Sequence, residues 1–397
     1  MSTPGPLAGL TILDLTRVLS GPYCTMLLAD MGARVIKVEQ PGRGDDTRAW
    51  GPPFVGAESA YFLSINRNKE SVTLDFKTPE GRDILERLAG RADVLIENFR
   101  PGTLARAGFG YDEVSARHPR LVYCSISGFG QTGPRREQPG YDAVIQAEGG
   151  LMSVTGDADG PAYRVGIAIA DLVAGLLAAQ GIALALFARE RTGRGQQVDI
   201  SMLDGVVSLL SYHASTYLTT GATSRRVGNR HATIAPYDTF AAADGEFFLA
   251  VGNDGQFVRF CAVADVPALP HDQRFATNPA RVINRDALDA LLSPVLRSRT
   301  RREWIGALTA AGVPCGDVRD VPEVMSDPQV LARRMIEAVE HAALGQIKVL
   351  GVPIKLSDTP GAVRSAPPTL GQHTEQILRE LEFSPDTIEQ FRQRGVI

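Results

Sequence analysis

One carboxylate, Asp171, interrupts the run "VGIAIADLVAGLLAAQGIALALF" (Val165–Phe187), where every other side chain is apolar, small or, at Gln180, a neutral amide. A carboxylate buried without partners loses its hydration at a cost of several kcal/mol or more, so this one must be hydrogen-bonded or neutralised. Asp171 directly precedes a helical run, which places its oxygens to accept the first free N–H groups as a helix N-cap. The helix dipole and those N–H groups would also keep it ionised in apolar company. An anion held in that way is a nucleophile for an activated carbonyl.

Other residues carry weaker signals. In "VGNDGQF" (Val251–Phe257) Gly252 and Gly255 would let the backbone approach a substrate and donate N–H groups to an oxyanion, although a plain turn fits as well. "RVGNRHATIAPY" (Arg226–Tyr237) offers Arg230 and His231 to an acidic substrate, or reads as a solvated linker turn. Lys77 and Arg106, taken singly, are solvated surface charges. Four cysteines stand far apart without a C-x-x-C pair and six histidines lack ligand spacing, which predicts reduced thiols, a cytoplasmic protein and no metal site.

The first 130 or so residues alternate strand-like and helix-like segments. "LTILDL" (Leu10–Leu15) reads as a buried strand, "GPYCTMLLADMG" (Gly21–Gly32) as a helix closed by glycine, and "ARVIKVE" (Ala33–Glu39) as the next strand. Further strands are expected at Ser71–Phe76, Asp93–Phe99, Arg120–Gly130 and Gln196–Met202. "TPEGRDILERLAG" reads as a capped helix with Thr78 at the N-cap, Pro79 at the first helical position, and Ile84, Leu85 and Leu88 on its inner face. Repeated β-α-β units with apolar strands imply an α/β fold with a parallel, Rossmann-like sheet covered on both faces.

The chain of 397 residues is too long for one simple core. A Gly-, Thr- and Arg-rich stretch at Thr220–Asn229 marks a boundary, giving a large domain at 1–220, a smaller α+β domain at 221–327, and a returning segment at 328–397. Asp244-Gly245 marks a hairpin in the smaller domain. Forty-one Lys and Arg against 45 Asp and Glu give a net charge of −4, with no basic run that would serve as a nucleic-acid footprint. The N-terminus has no signal-peptide pattern, and the apolar stretch Leu172–Phe187 is short for a membrane span, so a buried helix is expected there and no membrane partner. The turn "TRVLSGPYC" lacks the glycines of a dinucleotide cradle, and Glu39 reads as a solvated strand-end carboxylate.

Seven stretches in order resemble the class III CoA-transferases, the formyl-CoA and carnitine CoA-transferase family: "LDLTRVLSGPYCTMLLADMGARVIKVEQPGRGDDTR", "NRNKESVTLDFKTPEGR", "DVLIENFRPG", "GQTGPRREQPGYD", "RTGRGQQVDISMLDG", "AAGVPCGDV" and "LGQHTEQIL". The resemblance covers essentially the whole chain and puts Asp171 on the family's catalytic aspartate. It implies transfer of CoA from an acyl-CoA to a free carboxylic acid through an aspartyl mixed anhydride and an aspartyl-CoA thioester. Water must be kept from both, which gives the apolar surround a purpose. It further implies a CoA path along Val18, Leu19, Ser20, Leu74, Lys77, Asn98, Phe99 and Arg106 to Tyr141 near the thioester, a glycine loop at Gly252 and Gly255, and an interlocked, ring-shaped homodimer. CoA and acyl-CoA are substrates there, and no cofactor is permanently bound.

Two departures bear on the substrate. Gln40 stands where formyl-CoA transferase has an arginine, and Leu19 replaces a glutamine near the thioester. With Arg230 and His231 as a second cationic group, the expected acid is a short dicarboxylate, with succinyl-CoA as donor and a C4–C6 diacid as acceptor. Two alternatives share the fold: an α-methylacyl-CoA racemase and a non-catalytic CoA-binding protein. Related racemases present a His-Asp step where this chain has Tyr141-Asp142, and a phenol of pKa about 10 is a poor base at neutral pH. Retention of Asp171 in its apolar frame argues against a mere binder.

Overall fold

The computed structural model describes residues 4–397. The chain forms two compact units: one of residues up to Leu151, Val165–Ser215 and Pro328–Ile397, the other of Met152–Arg164 and Thr216–Asp327. Residues 152–164, which the sequence reading left in the first domain, thus cluster with the second unit.

The first unit is built on six parallel strands: β1 (Thr11–Asp14), β2 (Arg34–Glu39), β3 (Lys69–Thr73), β4 (Val94–Glu97), β5 (Val122–Ser127) and β6 (Gln197–Ser201). They lie in the order β3-β2-β1-β4-β5-β6, as the β-α-β pattern requires. Apolar side chains of β1, β2, β4 and β5 point to both faces because each face has a core. Leu13, Ile36, Val72 and Leu95 point to one, where the helices α2 (Pro79–Arg91), Thr374–Glu380 and Pro385–Gln393 pack. Thr78 caps α2 by accepting the Gly81 N–H at 3.0 Å, with Pro79 opening the helix, as its sequence implies. The tail is tied back through Asp75, whose N–H donates to the Val396 carbonyl at 2.8 Å.

Ile12, Val35, Val94 and Ile126 face the second core, covered by α1 (Ser20–Asp30), α3 (Asp142–Glu148), α4 (Ile169–Thr192) and α5 (Met202–Leu209). By length and composition α4 is apolar enough to cross a membrane, but it packs on the sheet and on α1. Its inner face is small: Ala170, Ala174, Gly175, Ala178 and Ala185 are buried. The helix expected to be buried is buried on one face, and its outer face is open, with Leu184 and Phe187 61% and 60% exposed. Gly193 ends α4 in the left-handed conformation, φ 72°, donating its N–H to the Arg189 carbonyl.

Glycine fixes the spacing of α1 and α4. A Cβ at Gly175 would lie 2.6 Å from the Ser20 carbonyl oxygen, closer than real contacts allow. Asp171 sits one turn before Gly175 on the same helix face, so this close approach brings Ser20 to Asp171.

The second unit has its own antiparallel sheet, with Gly245–Ala250 between Cys315–Asp317 and Tyr237–Ala242. The hairpin turns at Ala243 and Asp244, one residue before the Asp244-Gly245 step expected, and Gly245 opens the next strand opposite Ala242 with φ 146°. Phe247, Phe257, Phe260 and Trp304 fill its core.

Candidate active site

Asp171 is not the helix N-cap. The helix α4 begins at Ile169 after Ala168, which makes no side-chain cap, so Asp171 lies in the first turn. The Ala170 N–H that a cap would take is already accepted by Asp142 at 2.8 Å. Asp171 instead faces the hydroxyl and backbone N–H of Ser20, which favour its ionised form. Burial pushes its carboxyl up, the nearby negative charge of Asp142 adds to the rise, and the Ser20 donors oppose it, leaving a pKa of about 6.

The carboxylate opens on a cavity of about 190 Å³ lined also by Val18, Ser20, Asn98, Phe99 and Tyr141. These residues come from three separate segments that follow β1, β4 and β5, at the carboxyl ends of a parallel sheet, where open α/β sheets bind ligands. Asn98 clamps the first loop: its Oδ1 accepts the Arg17 N–H at 2.8 Å and its Nδ2 donates to the Arg17 carbonyl at 2.7 Å. Next to that clamp Val18 has φ 69°, a strained conformation for a β-branched residue. Its N–H donates to Asp45 Oδ1 at 3.2 Å, so the strain is held from both sides. Arg17 and Arg100 add positive charge to the cavity wall.

A second cavity, of about 260 Å³, shares Arg17, Asp46 and Phe99 with the first and is lined by Leu74 and Lys77. Lys37 lies in its wall, donating to the Thr16 carbonyl at 2.8 Å and paired with Asp45 at 2.9 Å. Burial alone would raise Asp45, but the Lys37 ammonium brings it down to about 2. Glu39 is corrected: it is buried rather than solvated, paired with Arg48 at 2.7 Å and accepting from Ser71. Arg106 is exposed and donates to Thr103, a residue of this cavity's rim, at 3.3 Å. Leu19 turns away into a small apolar cluster with Met26 and Ile65.

The remaining sequence candidates lie in the second unit, and two are already occupied. Arg230 meets three carboxylates, Asp238 at 3.2 Å, Asp286 at 3.2 Å and Asp289 at 3.0 Å. All three guanidinium nitrogens are taken by these carboxylates, so Arg230 does not suit an incoming carboxylate. The Gly252 N–H donates to the Gln256 side chain at 2.7 Å, and Gly255 sits in the first turn of the helix Asp254–Val263. His231 accepts the Thr233 N–H at 3.1 Å and packs its ring on Tyr237. Sequence reasoning missed Ser20 as the partner of Asp171, Asp142 as its charged neighbour, and the three aspartates. None of these pairings leaves a local spacing signal.

The sequence pattern described as CoA-transferase family III matches residues 7–374. The chain belongs to CoA-transferase family III. It is 42% identical over 398 residues to the human succinyl-CoA:glutarate CoA-transferase, covering 100% of this chain and 91% of that one. It is 45% identical over 354 residues to the acetyl-CoA:oxalate CoA-transferase of Acetobacter aceti, covering 89% and 90% of the two chains. The crystal structure of a CAIB/BAIF family protein from Brucella suis superposes with a TM-score of 0.84 at 43% identity, over 95% of this chain and 100% of that one. As a class III CoA-transferase this chain is an enzyme, and the α/β fold with a parallel sheet expected from its strands is the one it adopts.

If Asp171 reacts as the carboxylate, its loss of charge below about pH 6 sets the acid side of the rate profile. On that basis kcat/KM for the acyl-CoA declines about tenfold per unit below that point. A profile measured between pH 5 and pH 8 checks this, and a flat response down to pH 5 contradicts it.

Proposed function

We propose that this enzyme moves CoA between short dicarboxylates, with succinyl-CoA as donor, C4–C6 diacids as acceptors and Asp171 as the nucleophile. The observation that carries the reading is a partly buried carboxylate beside Ser20, at a cavity whose wall also carries Arg100 and Arg17, the latter paired with Asp46 at 3.5 Å. The relatives named above, acting on glutarate and oxalate, support a diacid. The adjoining cavity with Leu74 and Lys77 takes the nucleotide end of CoA, Phe99 lines both cavities, and Asn98 and Tyr141 stand on the side of the thioester.

The chemistry runs in balanced steps. The Asp171 carboxylate attacks the thioester carbonyl and expels CoA thiolate, leaving an aspartyl-acyl anhydride. The thiolate attacks the aspartyl carbonyl, releasing the donor acid and leaving an aspartyl-CoA thioester. The acceptor carboxylate attacks that carbonyl, expels the thiolate again and forms a new anhydride. Attack of the thiolate on the acceptor's carbonyl then releases the new acyl-CoA and restores Asp171. Every intermediate lies on Asp171, so no resident cofactor is required.

A panel of acids assayed with succinyl-CoA tests the substrate class. Diacids such as glutarate should exceed monocarboxylates by about tenfold or more in kcat/KM, the worth of one charge-assisted contact. Carnitine or cinnamate outperforming every diacid would remove the dicarboxylate reading and leave the transferase reaction intact.

The partner we propose is a second copy of the chain in an interlocked dimer. The outer face of α4, with the exposed Leu184 and Phe187, gives such a contact apolar surface. Light scattering at micromolar concentration should give twice the chain mass. A well-folded monomer would contradict the dimer.

A further inference from the structure

The backbone that delivers Asp171 is gripped from one side by two residues of α3. Gln146 is fully buried. Its Oε1 accepts the Val165 N–H at 2.9 Å, and its Nε2 donates to Asp142 Oδ2 at 2.8 Å and to the Ile167 carbonyl at 3.4 Å. The other oxygen of Asp142 accepts the Ala170 N–H at 2.8 Å. The segment entering α4 is therefore pinned at Val165, Ile167 and Ala170, the last immediately before Asp171. Val165 is also the first residue of the segment that returns to the first unit after residues 152–164.

Neither Asp142 nor Gln146 lines the Asp171 cavity, although their neighbour Tyr141 does. They act through Asp171 and do not touch substrate. Asp142 brings a second effect, since its charge disfavours ionisation of Asp171. The other groups around Asp171 differ in kind. Tyr61, on the helix Ala60–Ile65, is a phenol held up to about 12 by burial and by the charges of Asp171 and Asp142. Ser20 and Tyr23 come from α1, and Arg17, Asp46, Arg100 and Tyr141 come from the cavity loops. Asp142 alone joins a like charge to a direct hold on the backbone beside the nucleophile.

We propose that Asp142 and Gln146 are positioning residues for CoA transfer: together they fix the backbone presenting the Asp171 carboxylate. The device rests on Asp171 as the nucleophile. A more basic carboxylate attacks a thioester faster while staying largely ionised at neutral pH, and the pins keep it within reach of the carbonyl.

The test is steady-state kinetics from pH 5 to pH 8.5 with succinyl-CoA, on the wild type and on Asp142→Asn, Gln146→Leu and Asp171→Asn, each checked for its thermal unfolding midpoint. Asp142→Asn keeps an oxygen for the Ala170 N–H and removes the charge. Its acid limb should move down by about half a unit to one unit, with kcat reduced and KM for succinyl-CoA within about twofold. Gln146→Leu keeps the volume and cuts the pins at Val165 and Ile167. It should lower kcat about tenfold or more, the usual cost of a misplaced reacting group, with the acid limb and KM unmoved. A purely structural role would lower stability without moving the limb of Asp142→Asn. Wild-type kcat in both variants with an unmoved limb, beside an inactive Asp171→Asn, overturns the positioning proposal alone. An active Asp171→Asn overturns the nucleophile and the proposal with it.

Discussion

The structure depends on the approach of two helices at a single glycine. The absence of a side chain at Gly175 lets α4 settle against the Ser20 carbonyl at the start of α1. One turn earlier, that contact gives Asp171 the hydroxyl and N–H of Ser20. A carboxylate in apolar surroundings survives as an anion only with such donors, and they must be fixed before substrate arrives. The small inner face of α4 serves the same end, because alanines at 170, 174 and 178 allow the helix to lie close along its length.

The loops around Asp171 are stiffened by buried charge beneath them. Asp14, at the end of β1, accepts from Thr16 and Thr25 and pairs with Lys69 at 3.3 Å, all of them buried. Lys37 with Asp45, and Arg48 with Glu39, continue the network under the second cavity. Breaking one such pair costs about 3–5 kcal/mol, because the partner is left charged and buried. The strained backbone at Val18 persists for this reason, with Asp45 and Asn98 holding its loop in place. The two cavities meet at Arg17, Asp46 and Phe99, so one rigid loop set serves both.

Much of this was legible in the sequence, and the part that was not has a physical reason. The strands β1, β4 and β5 are buried on both faces and show as largely apolar runs, and Thr78-Pro79 is a local signal written by backbone geometry, as is Asp244 in the turn before Gly245. Asp171 stood out because a charge in an apolar run has few structural explanations. Its mode of stabilisation was not legible, since Ser20 lies 151 positions away and meets it only through the packing at Gly175. Arg230 misled for the same reason: Asp286 and Asp289 approach it from a distant helix, and an arginine that looks free in a linker is satisfied in the fold. Glu39 looked solvated at a strand end because the later loop that brings Arg48 over it leaves no mark beside it.

The central claim is that acyl transfer passes through a covalent bond to Asp171. The direct measurement is peptide mass spectrometry after incubating the enzyme with succinyl-CoA alone and quenching with hydroxylamine or borohydride. The account expects the captured adduct, or the reduced side chain, on the peptide containing Asp171 and nowhere else, and none when CoA replaces succinyl-CoA. An unmodified Asp171 in enzyme that turns over in the same preparation would contradict it.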